Sequence, residues 1–522
     1  MNPVEFEIFK NLFVSVAEEM GETLKRTSFS PNIKERLDYS CAIYDAQGRT
    51  IAQGDHMPVH LGAMPLSVRA AIDHCTMEPG DAVVLNDPFQ GGTHLPDITL
   101  VLPVFVPASE KPAFFVANRA HHSDVGGMTP GSMPLASELY QEGLIIPPVK
   151  LVRRGAVVSD IASLILVNVR TPDEREGDLT AQIAANRTGE NRLVQIVLRN
   201  GLPVVAEYAA AAQDYSERVM RSAICNIPDG EYSYQDSLDD DGFRKGRVHL
   251  RVSIRIDSGQ ARVDFTGTDP QTSGAINANY AITLSATLYV FRCLIQQDDV
   301  LYNDGIARPI QVIAPSGTVV NALRPAAVAG GNVETSQRIT DVVLGALAKA
   351  LPDRIPAASQ GTMNNITIGG IDRRTGRPFA YYETIGGGMG AGPGAHGLSG
   401  VHTHMSNTRN TPVEAIEHYL PVRIRQYRLR ARSGGAGMFK GGEGIVREYE
   451  MLDHTSVTIL SDRREQPPYG ANGGKPGQVG CNTLIRFNGS EEPLPSKTQV
   501  NLEAGDRLRI ETPGGGGFGV AD

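Results

Sequence analysis

The pattern of apolar and polar residues predicts a helix and then several strands in the first part of the chain. Residues 3 to 25 place apolar side chains at helical spacing between Glu and Lys residues, which predicts an amphipathic helix packed on a core. Residues 38 to 61 alternate apolar and polar positions around the turn sequence "DAQG", which predicts two strands joined by a hairpin. Three apolar, β-branched segments then predict strands of a buried sheet: "DAVVLND", "ITLVLPVFV" and "PAFFVANRAH".

The rest of the chain predicts a helical region followed by regions rich in strands. Residues 173 to 222 are predicted to be helical, with Gly201 ending the first run. Alternating segments predict consecutive antiparallel strands in "GEYSYQDSLDDDG", "RVHLRVSIRID" and "QARVDFTGTD". Buried helices are predicted for "ITLSATLYVFRCLIQ" and "TSQRITDVVLGALAKAL", and short strands between Gly-rich turns are predicted from residue 423 onwards.

These elements predict a mixed α+β fold divided into several domains. A chain of 522 residues exceeds what a single hydrophobic core usually holds. We place the boundaries where the pattern changes. We therefore expect an N-terminal α/β domain over residues 1–225, a central α+β domain over residues 226–420 and a C-terminal β-rich domain over residues 421–522.

Composition and charge argue against several classes of protein. Hydrophobic residues make up 41% and charged residues 20% of the chain, and no segment approaches the roughly 18 consecutive apolar residues of a membrane helix. The formal charge of -9, without a long Lys/Arg cluster, argues against nucleic-acid binding. The 5 cysteines never form a CxxC pair, which argues against a disulfide framework and a thiolate metal site. The start "MNPVEFEIFK" has no features of a secretory signal, so we expect a cytoplasmic protein.

Two His/Asp pairs with the same spacing stand at the ends of predicted strands. His94 with Asp97 and His121 with Asp124 offer donors of the kind that Zn, Mn and Fe ions accept. Adjacent strands lie about 4.8 Å apart, so the two pairs can converge if their strands are neighbours. Asp38, at the head of its own strand, is a further carboxylate that could reach the same point. The alternative interpretation is that each pair caps a turn or a helix.

A second polar cluster lies among the glycines of "YYETIGGGMGAGPGAHGLSGVHTHMSNTRNTPVE". Its polar residues are Glu383, His402, His404, Asn407 and Asn410. The glycines resemble a phosphate-binding loop in composition but lack the GK[ST] of a P-loop, so we expect a loop that lets a substrate or a partner's backbone approach closely. His56 and His60 form a third group, for which a buried structural histidine is the alternative.

Several segments, taken together and in this order, resemble the hydantoinase B/oxoprolinase family over nearly the whole chain. They are "SPNIKERLDYSCAIYD", "GDHMPVHLGAM", "NDPFQGGTHLPDITLVLPVF", "RAHHSDVGG", "GDLTAQIAAN", "DFTGTDPQTSGAINAN", "YYETIGGGMGAG", "SGVHTHMSNTRNTPVE" and "TPGGGGFG". The resemblance implies the second subunit of an ATP-dependent hydrolase of cyclic amides, such as an N-methylhydantoinase or a lactamase, or the C-terminal half of a fused oxoprolinase. It also implies a hydantoinase A-type partner that binds the ATP, within a hetero-oligomer.

The resemblance further implies which residues bind a metal ion. In metal-containing relatives an Asp, a HxxD pair and a later His bind Zn or Mn. The matching residues of this chain are Asp38, His94, Asp97 and His121. Asp124 would orient a metal ligand or a water without binding the ion itself. His122 would point to the opposite face of the strand from His121.

Roles in acid–base chemistry and substrate binding are expected in the second and third clusters. The residues expected to act as general base or to orient the substrate are Glu383, His402, His404, Asn407 and His60. Ala395 and His396 stand where many relatives carry an acidic residue, so substrate contacts of this loop do not transfer from the family.

Two other functions stay open beside the hydrolase. The first is the corresponding subunit of an ATP-dependent ketone carboxylase, although a length of 522 residues favours the hydrolase because carboxylase relatives tend to be longer. The second is a non-catalytic subunit that only shapes the active site of its partner. We expect the isolated chain to be inactive, since its sequence contains no convincing ATP motif.

Overall fold

In a computed structural model, which describes residues 2–54, 57–107, 109–297 and 299–521, the chain forms α-helices and β-strands in mixed order. The helices are α1 (Pro3–Thr27), α2 (Pro31–Lys34), α3 (Met64–His74), α4 (Ser159–Val167), α5 (Pro172–Asn200), α6 (Leu202–Cys225), α7 (Tyr280–Arg292), α8 (Asp304–Ala307), α9 (Ser336–Leu347) and α10 (Val413–Tyr419). Single 3-10 turns lie at Pro58–His60 and Leu139–Gln141, and a π-helical turn lies at Gly331–Thr335.

The strands are β1 (Tyr39–Asp45), β2 (Thr50–Gln53), β3 (Ala82–Leu85), β4 (Asp97–Val104), β5 (Phe114–His121), β6 (Val149–Arg153), β7 (Ala156–Val157), β8 (Gly230–Asp240), β9 (Lys245–Asp257), β10 (Gln260–Asp264), β11 (Ile310–Ile313), β12 (Asn365–Asp372), β13 (Arg377–Glu383), β14 (Val422–Arg430), β15 (Gly444–Met451), β16 (Thr455–Leu460), β17 (Cys481–Ile485), β18 (Glu491–Leu494), β19 (Lys497–Leu502) and β20 (Arg507–Glu511).

The first sheet has seven antiparallel strands in the order β2-β1-β5-β4-β3-β6-β7. Helices α1 and α5 pack on one face, where they bury side chains such as Phe13 and Met20. Helix α3 covers the other face, against Tyr44 and Phe115. Because both faces are covered, the strands consist of continuous apolar runs. Strands β4 and β5 lie side by side near the middle of the sheet.

The central part packs helices on a four-stranded sheet in the order β11-β10-β9-β8. The pairs β8–β9 and β9–β10 are antiparallel, as the alternation of residues predicted. The predicted helix over residues 335–351 forms the end of the π-helical turn and α9. The core of this part also contains Val59 and Met133, so it is continuous with residues from the first part of the chain.

Strands from both sides of residue 420 share one sheet, in the order β13-β12-β16-β19. A five-stranded sheet, β14-β15-β20-β17-β18, packs beside it around a common apolar core. The exact limits of the three predicted domains stay a prediction, but the boundary placed between 420 and 421 separates strands that pair with each other. Alternation within a strand does not reveal which distant strand it pairs with.

Glycines near the end of the chain form a tightly packed region that we call the glycine stack: residues 386–390, 434–442, 470–477 and 514–517. These segments lie outside the helices and named strands and bond through their backbones; the Gly515 N–H donates to the Gly442 carbonyl, for example, at 2.9 Å. A Cβ atom at Gly515 would lie 2.1 Å from the Met389 carbonyl oxygen. Only glycine fits such a close approach of backbones, which explains the closing "GGGG".

The mixed α+β class is confirmed, and the elements predicted for the first 225 residues are observed with small shifts of their ends. The first helix, the hairpin of β1 and β2, strands β3 to β5 and the two helices on either side of Gly201 all form where they were predicted. Among the residues described, no helix is both long and apolar enough to cross a membrane.

Candidate metal centre

The candidate metal centre lies at the open end of the hairpin formed by β4 and β5, where β4 begins and β5 ends. Asp97, the first residue of β4, pairs with His121, the last residue of β5. His94 lies in the preceding turn, where its carbonyl accepts the Asp97 N–H at 3.1 Å. One ligand atom from each of these three side chains lies within 4.8 Å of the other two, and all three residues are buried. Strand register therefore brings together three of the predicted ligands.

Four buried polar atoms of this cluster have no hydrogen-bond partner among the residues that the structure describes. They are His94 Nδ1, His94 Nε2, His121 Nε2 and Asp97 Oδ1. His94 Nε2 lies 3.2 Å from Asp97 Oδ1, yet the two atoms are not aligned for a hydrogen bond. Leaving a buried polar atom unpaired costs about 1–3 kcal/mol, so such atoms are rare. Two imidazoles and a carboxylate oxygen suit Zn or Mn, and the residues present therefore fit a divalent ion.

Burial and neighbouring charges set the protonation of the cluster. Burial alone would raise the pKa of Asp97, but the His94 and His60 imidazoles outweigh it and hold that pKa well below its usual range. Burial, reinforced by His94, lowers the pKa of His121 well below its usual range. Asp97 is therefore ionised and His121 is neutral near pH 7, the forms in which both groups bind metal ions.

The second oxygen of Asp97 is held by neighbouring side chains. Thr93 Oγ1 donates to Asp97 Oδ2 at 2.6 Å, and His60 Nε2 lies 3.5 Å from the same oxygen. Ser40 Oγ lies 2.9 Å from His60 Nδ1 and fixes that ring in turn. These contacts engage Oδ2 and leave Oδ1 available to an ion. Thr93 was not predicted, although its position next to His94 in "THLPD" is a signal in the sequence.

The His121 ring is held at its edge and on its face. Asn32 Nδ2 lies 3.1 Å from His121 Nδ1, and the Tyr382 ring stacks on the imidazole with centroids 4.4 Å apart and planes inclined by 9°. The Arg36 guanidinium lies 4.8 Å from the centroid of the Tyr382 ring. None of these three residues was predicted from the sequence. Asn32 and Arg36 lie just before Asp38, and Tyr382 lies next to Glu383, all within segments that carried the family resemblance.

Asp38 lies beside the cluster rather than within it. Among the residues described, it is not one of the group whose ligand atoms all lie within 4.8 Å of one another. Its carbonyl accepts the His121 N–H at 3.0 Å, and its carboxylate Oδ2 lies 3.8 Å from Arg36 Nη2. Burial raises the pKa of Asp38, and the Arg36 charge opposes this effect. Its role as a fourth ligand stays a prediction; a cation nearby would favour the ionised carboxylate.

His122 and Asp124, which were predicted to support the metal ligands, contact other parts of the chain. His122 Nε2 lies 3.0 Å from Gln182 Oε1 on α5. Burial, together with the charge of Arg175, lowers the pKa of His122 to about 4. Asp124 accepts the Gly126 N–H at 3.0 Å and forms an ion pair with Arg170 at 3.0 Å. These contacts fix the loop after β5, and the predicted role of Asp124 in orienting a ligand stays a prediction.

Glu383 forms a buried ion pair, unlike the free carboxylate expected of a general base. Arg447 donates to both of its oxygens at 3.0 Å, and Tyr449 and Asn410 add further hydrogen bonds. The Arg447 guanidinium and the Tyr449 hydroxyl occupy the lone pairs of Glu383 that would accept a proton. We therefore do not assign the base role to Glu383. Arg447 lies in β15, and no local pattern links it to Glu383.

His402, His404 and Asn407 line a cavity of about 470 Å³. Ser406 Oγ lies 2.9 Å from His402 Nδ1, and the buried Nε2 atom of His404 has no hydrogen-bond partner among the described residues. Burial lowers the pKa of both histidines to about 4, so both rings are neutral at pH 7. His60 lies beside the candidate metal centre, and His56 lies outside the described residues.

Known proteins are similar to this chain over its full length. An uncharacterized protein of Methanocaldococcus jannaschii is 43% identical over 99% of this chain and 91% of its own length. 5-Oxoprolinase 1 of Arabidopsis thaliana is 42% identical over 99% of this chain, which spans only 42% of the plant protein. The crystal structure of ATP-dependent caprolactamase from Pseudomonas jessenii has a TM-score of 0.91 at 29% identity, covering 100% of this chain and 91% of that one.

The family model described as Hydantoinase B/oxoprolinase matches residues 2–521. The match spans the candidate metal centre, the cavity and the glycine stack, and agrees with the resemblance found from the short segments. The chain therefore belongs to the hydantoinase B/oxoprolinase family.

Proposed function

We propose that this chain is the metal-binding subunit of an ATP-dependent hydrolase that opens a cyclic amide. The main support is the buried cluster of His94, Asp97 and His121 with its unpaired polar atoms. Family membership supports the class of reaction, because similar proteins are named 5-oxoprolinase and ATP-dependent caprolactamase. We assign ATP binding to a partner of the hydantoinase A type, because the residues of this chain contain no convincing ATP motif.

In this proposal His94, Asp97 and His121 hold a Zn or Mn ion, with Asp38 as the candidate for a fourth ligand. A bound ion of this kind lowers the pKa of a water or polarises a carbonyl oxygen. Thr93 engages Asp97 Oδ2, so that Oδ1 stays available. His121 can offer Nε2 only in the tautomer that carries its proton on Nδ1. For that tautomer the Asn32 amide, whose nitrogen lies 3.1 Å from Nδ1 and whose oxygen accepts from Arg36, would have to turn over.

The reaction needs activation because a ring amide is a poor electrophile and its nitrogen leaves poorly. Transfer of the ATP γ-phosphoryl group to the amide oxygen, on the partner, would make the carbon more electrophilic. ADP leaves when the γ-phosphoryl group is transferred. Water then adds to the activated carbon, and the C–N bond breaks as the nitrogen takes up a proton, which leaves an acyl phosphate. A second water hydrolyses this acyl phosphate to the free acid and phosphate. The neutral imidazoles of His402 and His404 are the candidates in this chain for moving the proton to the nitrogen.

The test is to purify the chain together with its partner and to measure metal content and ring opening. We expect ring opening of hydantoin, 5-oxoproline or caprolactam that depends on ATP and proceeds without bicarbonate. His94→Ala and Asp97→Asn should lose the metal and the activity while the complex still assembles. Full turnover by these variants without metal would instead indicate a non-catalytic subunit, and a requirement for bicarbonate would indicate a ketone carboxylase.

A further inference from the structure

The segment before β4 carries two residues of the candidate metal centre. We call this segment, residues 86–94, the ligand turn. It contains the candidate ligand His94 and Thr93, the residue that donates to Asp97 Oδ2. The turn is tight, because a Cβ atom at Gly92 would lie only 2.5 Å from a backbone carbonyl oxygen of the same turn. What holds this turn in place therefore also sets the positions of Thr93 and His94.

A single side chain from the central part of the chain bonds to three carbonyls of the ligand turn. Asn279 Nδ2 donates to the carbonyl oxygens of Pro88 at 2.8 Å, Gly92 at 3.1 Å and Thr93 at 3.0 Å. The amide has two N–H bonds for three acceptors, so one N–H is shared between two carbonyls. Asn279 is only 4% exposed, and these bonds are shielded from water.

The other end of the same amide caps helix α7. Asn279 is the N-cap residue, and its Oδ1 accepts the Ile282 N–H at 3.2 Å. Three carbonyl oxygens on one side and an N–H on the other fix the orientation of the amide. Asn279 thus joins the ligand turn to the first turn of α7, although the two segments are far apart in the sequence.

Helix α7 also contacts the second segment that supports Asp97. Ser285 Oγ accepts the Gly62 N–H at 3.0 Å, and a Cβ atom at Gly62 would lie 2.9 Å from the Ser285 Cα. Gly62 closely follows the 3-10 turn that carries His60, whose Nε2 lies 3.5 Å from Asp97 Oδ2. Thr93, in the ligand turn, donates to that same oxygen. Both segments whose side chains engage Asp97 Oδ2 are therefore held against one helix.

We propose that Asn279 is a positioning residue of the candidate metal centre, which keeps Thr93 and His94 beside Asp97 by holding the ligand turn. The inference rests on the proposed function and adds to it a residue that contacts neither the ion nor the substrate. Without the Asn279 amide, three buried carbonyls lose a donor, and the turn can replace these bonds only by moving. Movement of the turn displaces both Thr93 and His94, which weakens ion binding.

The test is the substitution Asn279→Ser in the full-length chain. Serine is also a favoured N-cap residue, so α7 keeps an acceptor for its first turn, but its side chain is too short to bond to all three carbonyls. The metal-free protein is titrated with Zn in competition with a chromophoric chelator. We expect Asn279→Ser to bind Zn about tenfold more weakly. The EPR spectrum of bound Mn should change as well, because it reports the arrangement of the ligands.

Asn277 provides a matched control two residues away. It is fully buried, and its Nδ2 also donates to three carbonyls, which lie outside the ligand turn, at Thr272, Gly274 and Ala327. Asn277→Ser should therefore lose stability to urea much as Asn279→Ser does, yet bind Zn as the unaltered protein does. Unchanged Zn affinity in Asn279→Ser, or the same loss in both variants, would overturn the inference.

A second measurement uses the unaltered protein, so that the inference stays falsifiable if a variant fails to fold. Coupling between two sites is reciprocal, so an ion that fixes the ligand turn should also steady the residue that bonds to it. We expect Zn to slow amide hydrogen exchange in the first turn of α7, where Ile282 bonds to Asn279. Exchange in α8, which Asn303 caps, should stay the same. Unchanged exchange in α7 at saturating Zn would refute the positioning role.

Failure of this inference is distinguishable from failure of the proposed function. Weaker Zn binding by Asn279→Ser, without ATP-dependent ring opening by the unaltered complex, would support the positioning role and refute the hydrolase. Ring opening by a complex in which Asn279→Ser binds Zn normally would support the hydrolase and refute the positioning role. Absence of Zn and Mn binding by the unaltered protein would refute both the metal-binding subunit and the inference.

Discussion

Replacing Thr93 by Val tests whether the contacts around Asp97 prepare it for a metal ion. Thr93 is fully buried, and its hydroxyl donates to Asp97 Oδ2 at 2.6 Å. Valine has nearly the same shape, so the change removes this hydrogen bond while leaving little empty space. It leaves His60, at 3.5 Å, as the remaining side chain on that oxygen.

The magnitude follows from the charge on the acceptor. A hydrogen bond to an ionised group contributes about 1.5–3 kcal/mol, and loss of a residue that orients a metal ligand typically weakens metal binding by about 10- to 100-fold. Because His60 keeps a partial contact with Oδ2, we expect the lower half of that range, about 10- to 30-fold, for Thr93→Val.

The assay is a competition between the metal-free protein and a chromophoric chelator, with Zn and Mn measured separately. Thr458 provides a matched control, because its hydroxyl is buried in β16 and no described residue forms a hydrogen bond with it. Thr458→Val should bind the ions as the unaltered protein does. If Thr93→Val and Thr458→Val gave the same affinity, the idea that Thr93 prepares Asp97 for the ion would be refuted.

Three further substitutions test the fold and the assignment of residues. Burial raises the pKa of Glu142 from 4.5 to about 8, so the unaltered protein should lose stability relative to Glu142→Gln as the pH rises from 4.5 to 8, measured by urea unfolding at several pH values. Glu383→Gln should lower the free energy of unfolding by about 3–5 kcal/mol without changing metal content, since Arg447 loses its counter-charge; a stable but inactive variant would restore the general-base role. Gly515→Ala should lower the free energy of unfolding by at least about 1–3 kcal/mol, measured by thermal unfolding, because its Cβ would lie 2.1 Å from a carbonyl oxygen. Gly392→Ala should be tolerated, because the atom nearest to its Cβ would lie 3.7 Å away.

Local patterns were sufficient to predict most elements of the first part of the chain. Both faces of the first sheet are buried, so its strands are continuous apolar runs with polar ends, and Gly201 interrupts an otherwise helical pattern. Pairing between distant strands leaves no comparable signal. Strand β12 pairs with β16, although the two strands are separated by nearly a hundred residues in the sequence. The boundary placed after residue 420 fell between them.

The arrangement of the candidate metal centre was predictable where its residues are close in sequence or at strand ends. His94 and Asp97 share one turn, and His121 ends the strand that pairs with β4. The supporting residues come from elsewhere: Asn32 from α2 and Tyr382 from β13. Their roles depend on contacts between separate segments, which spacing alone cannot reveal.

The glycine stack has a thermodynamic consequence, because its segments pack through peptide groups rather than apolar side chains. Exposure of apolar surface raises the heat capacity on unfolding, while exposure of peptide groups lowers it. The stack should therefore keep its stability on cooling, when the apolar cores weaken. We expect its backbone amides to remain protected from hydrogen exchange near 0 °C, although they belong to no regular helix or sheet.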